Sequence, residues 1–416
     1  MISKVKGTQD FTDLKLYNFT INKIFSWLKD HNYQQISTPI LEHLELFKRS
    51  LGTGTDVVNK EMFLIQQGED KKDQICLRPE ATAPAIRAFI ENGIQTVPWK
   101  VFSEGPMFRY ERPQKGRFRE FHQLNIENIG SENIYQDAEF IKMLDKLFSE
   151  KFGLDTFALQ INFLGSFEDR KKFNAVLKEF LDKVSDKICQ TCNDRKNSNT
   201  LRVFDCKNPD CQKIYDDAPK TISSLSKESK AEWQKFQEIL ELLSVSFQVN
   251  PKLVRGLDYY NKTVFEFVSE NLGAQNTFCA GGRYDALVKE ISDGKQDVPA
   301  IGAAIGIERL LMLIGEKEIP EEKALYVIMP LSENQKTLAL LLANDLYNAN
   351  LATEVLLEDG SVKSMMRKAN KMGAKYSLIL GPDEQETRTV LVKNMVNSQE
   401  NKLNQPKLIE FLKNQG

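Results

Sequence analysis

The chain has 416 residues, 41 % apolar and 27 % charged, with a formal net charge of -2, which is the profile of a soluble globular protein of two or three domains. No stretch approaches the ~18 uninterrupted apolar residues of a spanning helix, and the opening MISKVKGTQDF lacks the apolar run of a secretory leader. Near-neutral charge leaves RNA binding open, because local basic patches supply that attraction.

A polar, turn-like start at residues 6–11 precedes a helix predicted over residues 13–30. There Leu14, Tyr17, Ile21, Ile24, Phe25 and Leu28 recur at helical spacing. Residues 33–38 alternate as a strand, and Pro39 ends it because proline cannot donate to a ladder. In LRPEATAP, residues 77–84, Glu80 and Thr82 stand two apart between prolines. They could grip an ammonium group together, or cap the helix that follows through Ile86 and Phe89.

Residues 108–123 read FRYERPQKGRFREFHQ. The alternating ends and the PQKG turn predict a β-hairpin with a basic loop. It carries Arg109, Arg112, Lys115, Arg117 and Arg119 against only Glu111 and Glu120. A guanidinium donates in a planar fork that matches phosphate oxygens, so the hairpin suits phosphate; a solvated basic loop is the alternative. On the continuing strand Gln123 and Glu127 share a face. A carboxylate there that accepts from a ring N–H would discriminate strongly, whereas a plain strand residue would face solvent. His122, one of three histidines, is expected to pack beside this site.

Residues 137–152 predict an amphipathic helix, 157–163 a strand, and 168–188 a second helix with Phe173, Val176, Leu177, Phe180, Leu181 and Val184 inward. A Lys-rich insertion then runs to about residue 247. Inside it, Cys189-x2-Cys192 and Cys206-x4-Cys211 form two close thiol pairs, the pattern of a structural zinc knuckle. Without a leader, cysteines read as reduced thiols or metal ligands rather than disulfides. Val254 to Tyr260 (VRGLDYY) offers an arginine beside two tyrosines, either near a substrate or inside an ordinary core, and residues 264–268 read as a strand. AGGRYD, residues 280–285, reads as a glycine turn after a strand that opens a helix. Residues 302–310 read as a tightly packed strand, then a helix with Arg309 in its first turn.

Residues 320–323 read as a charged linker, after which the period changes. Strands are predicted at 325–329, 353–356, 376–380 and 389–392. Between them lie one helix with Leu338, Leu341, Leu342, Leu346 and Ala349 on one face and another that Gly373 stops. Alternating strand and helix argues for a small α/β domain with mainly parallel pairing. Lys363, Arg367, Lys368 and Lys371 share one of its helices, as a solvated face or an RNA contact. The chain carries no GxxxxGK[ST] loop and no Rossmann fingerprint.

FRYE with its basic loop and Phe121 resembles motif 2 of the class II aminoacyl-tRNA synthetases, and RPQKG…FHQ resembles the histidyl branch. The helix, strand and Pro39 resemble motif 1, residues 302–310 resemble motif 3, and residues 254–260 and 280–285 match two histidyl-specific phrases. The resemblance implies an α+β catalytic domain, an antiparallel sheet flanked by helices, over residues 1–165 and 248–319. A helical, Cys-containing insertion would span 166–247 and an anticodon-binding α/β domain 324–416. It implies a histidine–tRNA ligase that uses ATP and Mg2+, is a homodimer, and works in the cytoplasm. The alternative is the non-catalytic, synthetase-like regulatory subunit of ATP phosphoribosyltransferase. By resemblance Arg109, Arg255 and Arg309 are catalytic. Glu80, Thr82, Arg109, Gln123, Glu127, Arg255, Tyr259, Tyr260 and Tyr284 bind histidine. Arg109, Glu111, Arg117, Phe121 and Arg309 bind ATP, and Arg112, Gln114 and Lys115 meet the tRNA acceptor end. No general base is expected, because the histidine carboxylate is itself the nucleophile.

Overall fold

A computed structural model describes residues 2–52, 55, 57–66, 74–315 and 323–415. The chain divides into two compact units, Met1–Ile319 and Pro320–Gly416. The expected linker lies outside the described residues except for Lys323.

The first unit is built on an eight-stranded sheet. In spatial order its strands are Gln34–Gln35, Trp99–Phe108, Glu120–Ile129, Ala300–Gly306, Thr277–Arg283, Asn261–Val268, Ala158–Phe163 and Gln248–Val249. The six inner strands pair antiparallel, and the two-residue edge strands add in parallel. The hairpin expected at residues 108–123 is present: Phe108 opposes Glu120, and Gln114 bridges Arg117 at its tip. Strand alternation divides the residues between the faces. Leu124 and Ile126 enter the main apolar core, together with Ile21, Ile24 and Leu28 of helix Lys15–Asp30 and Ile141 and Leu144 of helix Ile134–Lys146. Gln123, Asn125 and Glu127 therefore stand on the opposite face, above the second core.

Several expectations need correction. The strand at 33–38 shrinks to Gln34–Gln35, with one further bond from Ile36 to Phe102. The helix of residues 137–152 is α-helical only over Ile134–Lys146, and a π-helical turn at Leu147–Lys151 follows. The 168–188 helix is Phe167–Lys183, and Val176 is exposed because the buried stripe follows Phe173, Leu177 and Leu181 at four-residue spacing. The glycines of residues 280–285 lie inside the strand Thr277–Arg283 rather than in a turn. A Cβ on Gly281 would fall 2.2 Å from the Gly302 carbonyl oxygen, so the neighbouring strand, not a ligand, requires that glycine. A separate three-stranded antiparallel sheet, Leu41–His43, Ile75–Leu77 and Phe63–Ile65, was not anticipated.

The second unit has a five-stranded sheet ordered Ala352–Val355, Leu325–Pro330, Tyr376–Leu380, Thr389–Asn394 and Glu400–Asn404. Two of its pairings are parallel and two antiparallel, so the expected mainly parallel sheet holds for one half only. Helix Glu333–Asn348 turns Ala339, Leu342, Ala343 and Leu346 inward and leaves Leu341 exposed. Helix Val362–Lys371 ends at Gly373, whose φ of 75° lets the chain reverse.

Candidate active site

Arg109, Glu111, Arg117, Phe121, Gln123, Arg255 and Arg309 line one cavity of about 310 Å³. The hairpin delivers the first five, the loop before strand Asn261–Val268 delivers Arg255, and the first turn of helix Ile307–Ile314 delivers Arg309. Arg109 donates from Nε to the Pro79 carbonyl at 2.9 Å and lies 5.3 Å from the Phe121 ring centre. Arg309 donates to the carbonyls of Gly116 at 2.9 Å and Thr277 at 2.5 Å. Arg255 is ion-paired with Glu266, and Arg117 with Glu111.

Burial of these cations perturbs them. Arg309 is pushed down to about 10 by burial, then by Arg117 and Arg109. Arg109 is lowered by burial, with Arg255 adding repulsion. Burial opposes the charge on Arg255 most strongly of any single cause, but Glu266, Tyr260, Asp205 and Tyr259 together outweigh it and the net direction is up. Crowded, dehydrated guanidiniums of this kind attract an anion strongly. Among the described residues, the buried polar atoms Nε of Arg255 and Oε1 of Gln123 have no hydrogen-bond partner. Buried groups of that kind are rare without a partner to meet, and both residues line the cavity.

A second group of predicted residues sits beside this cavity, fully enclosed. Glu127 is 1 % exposed, accepts from Thr82 Oγ1 at 2.8 Å, and accepts from the Tyr284 hydroxyl. Its carboxyl is pushed up to about 8 by burial, with Glu80 adding repulsion. Tyr259 packs against Tyr260 and Tyr284 at ring separations of 4.5 and 5.5 Å, and Arg255 lies 5.8 Å from the Tyr260 ring. Glu80 accepts from the amides of Thr82 and Ala83 at 2.7 and 2.9 Å, so it caps helix Thr82–Glu91. Thr82 and Glu80 are thus held by the first turn of one helix, and capping leaves Glu80 room to accept a further bond, since a carboxylate accepts more than two.

Arg112, Gln114 and Lys115 are exposed at the hairpin tip and do not line the cavity. His122 faces away from Gln123. It bonds Glu308 through Nδ1 at 3.0 Å and packs edge-on against Phe11 and Tyr17. The sulfurs of Cys189, Cys192, Cys206 and Cys211 all lie within 4.8 Å of one another, and no cysteine is disulfide-bonded.

Sequence reasoning missed Glu266, Glu308, Lys207 and Gly302. Glu266 could have been found as the lone acid in the apolar strand VFEFV. Gly302 was read only as close packing. It opposes Glu127 across the strand pair, and a Cβ there would fall 1.8 Å from Glu127 Oε2, so it provides the slot for that carboxylate. Lys207, from the insertion, lines the cavity with no local sign in its sequence.

Residues 12–310 match the family model for histidyl-tRNA synthetase, and residues 326–415 match an anticodon binding domain. A histidine–tRNA ligase from Clostridioides difficile (strain 630) is 39 % identical over 422 residues, covering 99 % of both chains. One from Clostridium perfringens (strain ATCC 13124) is 40 % identical over 402 residues, covering 95 % of each. The apo crystal structure of S. aureus histidyl-tRNA synthetase superposes with a TM-score of 0.81 at 30 % identity, covering 99 % of this chain and 100 % of that one. With that agreement in sequence and fold, the chain belongs to the histidyl-tRNA synthetase family of aminoacyl-tRNA ligases.

Proposed function

We propose that the chain activates L-histidine with ATP and then passes it to the 3′ end of histidine tRNA. In the first step a histidine carboxylate oxygen attacks the α-phosphorus. The bond to the β-phosphate breaks, and pyrophosphate leaves. In the second step the terminal ribose hydroxyl of the tRNA attacks the acyl carbonyl, and AMP leaves. The observation that carries this reading is the convergence of Arg109, Arg255 and Arg309 on one cavity. Cations already fixed where charge develops need no reorganisation during reaction.

In this reading Arg109 spans the α-phosphate and the histidine carboxylate, Arg255 offsets the charge between them, and Arg309 holds the γ-phosphate. Phe121 stacks on adenine, Glu111 faces it, and Arg117 reaches the outer phosphates. Glu80 and Thr82 receive the α-amino group, while Gln123, Glu127, Tyr259, Tyr260 and Tyr284 surround the imidazole. Arg112, Gln114 and Lys115, exposed at the tip, meet the tRNA acceptor end. Mg2+ would offset phosphate charge. The cavity carboxylates Glu111, Glu266 and Glu308 bond Arg117, Arg255 and His122, so a bound Mg2+ would rely chiefly on substrate phosphate oxygens.

Residues 1–165 and 248–319 form the catalytic domain in this proposal, 166–247 the insertion, and 324–416 the anticodon-binding domain. The protein acts in the cytoplasm, in keeping with a tRNA substrate and with described helices none of which is long and apolar enough to cross a membrane. It works as a homodimer. The small sheet supports this, because Leu41, Phe63, Ile65, Ile75 and Leu77 share one of its faces by register. Leu41 is 52 % exposed and Ile65 38 %. Light scattering should give twice the chain mass, and Leu41→Asp should halve it; a wild-type monomer would refute the dimer.

The deciding measurement is amino-acid-dependent exchange of pyrophosphate into ATP, without tRNA, for each standard amino acid. Exchange with histidine alone is expected. Exchange with another amino acid would overturn the pocket reading, and none at all would favour the regulatory-subunit alternative.

A further inference from the structure

We propose that Cys189, Cys192, Cys206 and Cys211 hold one Zn2+ as a closed tetrathiolate site, and that this ion pins the loop bearing Lys207 to the wall of the catalytic cavity. Its ground is the sulfur geometry. Sγ of Cys189 and Sγ of Cys206 are 3.8 Å apart, and all four sulfurs lie within 4.8 Å of one another. A tetrahedron with Zn–S bonds of about 2.3 Å has edges of about 3.8 Å. A disulfide would bring two sulfurs to about 2.05 Å, and none forms.

The surroundings suit thiolates. Cys192, Cys206 and Cys211 are buried, at 0, 8 and 1 % exposure. The amide of Cys189 points at Cys211 Sγ at 3.2 Å, and that of Asn208 points at Cys206 Sγ at 3.4 Å. Backbone donors to ligand sulfurs orient them and offset their charge. Cys189 precedes helix Gln190–Ser198, and Cys192 lies in its first turn. Cys206 and Cys211 flank the start of helix Pro209–Ile214 in the same way. The longer spacing of the second pair arises because Asn208 caps that helix, accepting from the Asp210 amide at 2.9 Å. Helices of nine and six residues are marginal alone, and a tetrahedral cross-link between residues 189 and 211 supplies what they lack.

Four soft ligands leave no open position, so the ion is structural. Each thiol that becomes a thiolate ligand releases its proton to solvent. Lys207 directly follows ligand Cys206, and it lines the cavity alongside Arg109 and Arg255. Pinned there, it adds a positive charge for an anionic substrate group. The Lys207 part rests on the proposed ligase reading, and the zinc part does not.

Elemental analysis of the purified full chain, expressed with zinc available, should give about one zinc per chain. Cys206→Ser/Cys211→Ser should lose it, while Lys207→Ala retains it. Less than about a tenth of an equivalent in the wild-type chain, or iron in its place, overturns the site. For the pinning, Lys207→Ala should raise the KM for ATP in pyrophosphate exchange roughly two- to fivefold, the scale of one solvent-facing charge contact. An unchanged KM in a zinc-loaded Lys207→Ala chain overturns that part and leaves the zinc standing.

Discussion

Glu127 is held by Thr82 and Tyr284 in a slot that Gly302 keeps open, with its carboxyl pushed up to about 8 by burial. An unfolded Glu titrates near ~4.3. Between those values the folded chain binds more protons than the unfolded one, so this residue makes stability fall as pH rises, and the loss is complete above the folded value. Glu127→Gln removes that slope. Urea midpoints for wild type and variant should diverge as pH rises from about 4.3 to about 8, with the variant relatively more stable at the upper end. The same change should weaken histidine. Above about pH 8, where the carboxyl is ionised, loss of a charged acceptor for a ring N–H is worth about 1.5–3 kcal/mol, so the KM for histidine in exchange run there should rise ~10- to 100-fold while the KM for ATP holds. An unchanged histidine KM would remove Glu127 from the imidazole pocket. The position of Glu127 was legible from strand alternation alone. Gly302 was not, because its role depends on the register between two strands 175 positions apart in the chain, and no local pattern encodes register.

Elements are joined by buried polar ties, and one of them links strand Thr277–Arg283 to helix Ile134–Lys146. Arg283 and Asp137 are both 0 % exposed. Arg283 donates from Nε to both Asp137 oxygens at 3.1 and 3.0 Å, and from Nη1 to the Ser131 carbonyl at 2.7 Å. Removing one partner strands the other charge in the core, so Arg283→Met should lower unfolding free energy by about 3–5 kcal/mol. The double variant Arg283→Met/Asp137→Leu should recover part of that loss; equal loss in both would show that packing, not charge, holds the joint. Arg283 sits inside a phrase that reads as a glycine turn in sequence, yet it lies in a strand and its side chain is structural. Long periodic helices and the basic hairpin were legible because side-chain period is a local property. The small sheet, the edge strand Gln248–Val249 and the final strand at Glu400–Asn404 were not. Short strands have too few residues to show a period, and they form because tertiary partners complete their ladders.

At the scale of the molecule, the change of period after residue 323 marked a second unit, and the structure gives each unit a core of its own. In the second unit Tyr326, Ile328, Leu346, Leu378, Val390 and Leu408 close around one another. Every described residue lining the cavity lies in Met1–Ile319, as do Glu80, Thr82, Glu127 and the three tyrosines. On the proposed reading activation needs only that set, whereas tRNA capture draws on two modules in one chain. A fragment of residues 1–319 should therefore keep histidine-dependent pyrophosphate exchange close to the full-length rate. Its kcat/KM for charging tRNA should fall by about 10²- to 10⁴-fold, the range expected when one of two linked binding modules is lost. Adding the separate 320–416 unit in trans should not restore charging, because the linkage itself sets the effective concentration. Loss of exchange from a fragment that still unfolds cooperatively would instead mean that the second unit helps to build the catalytic cavity.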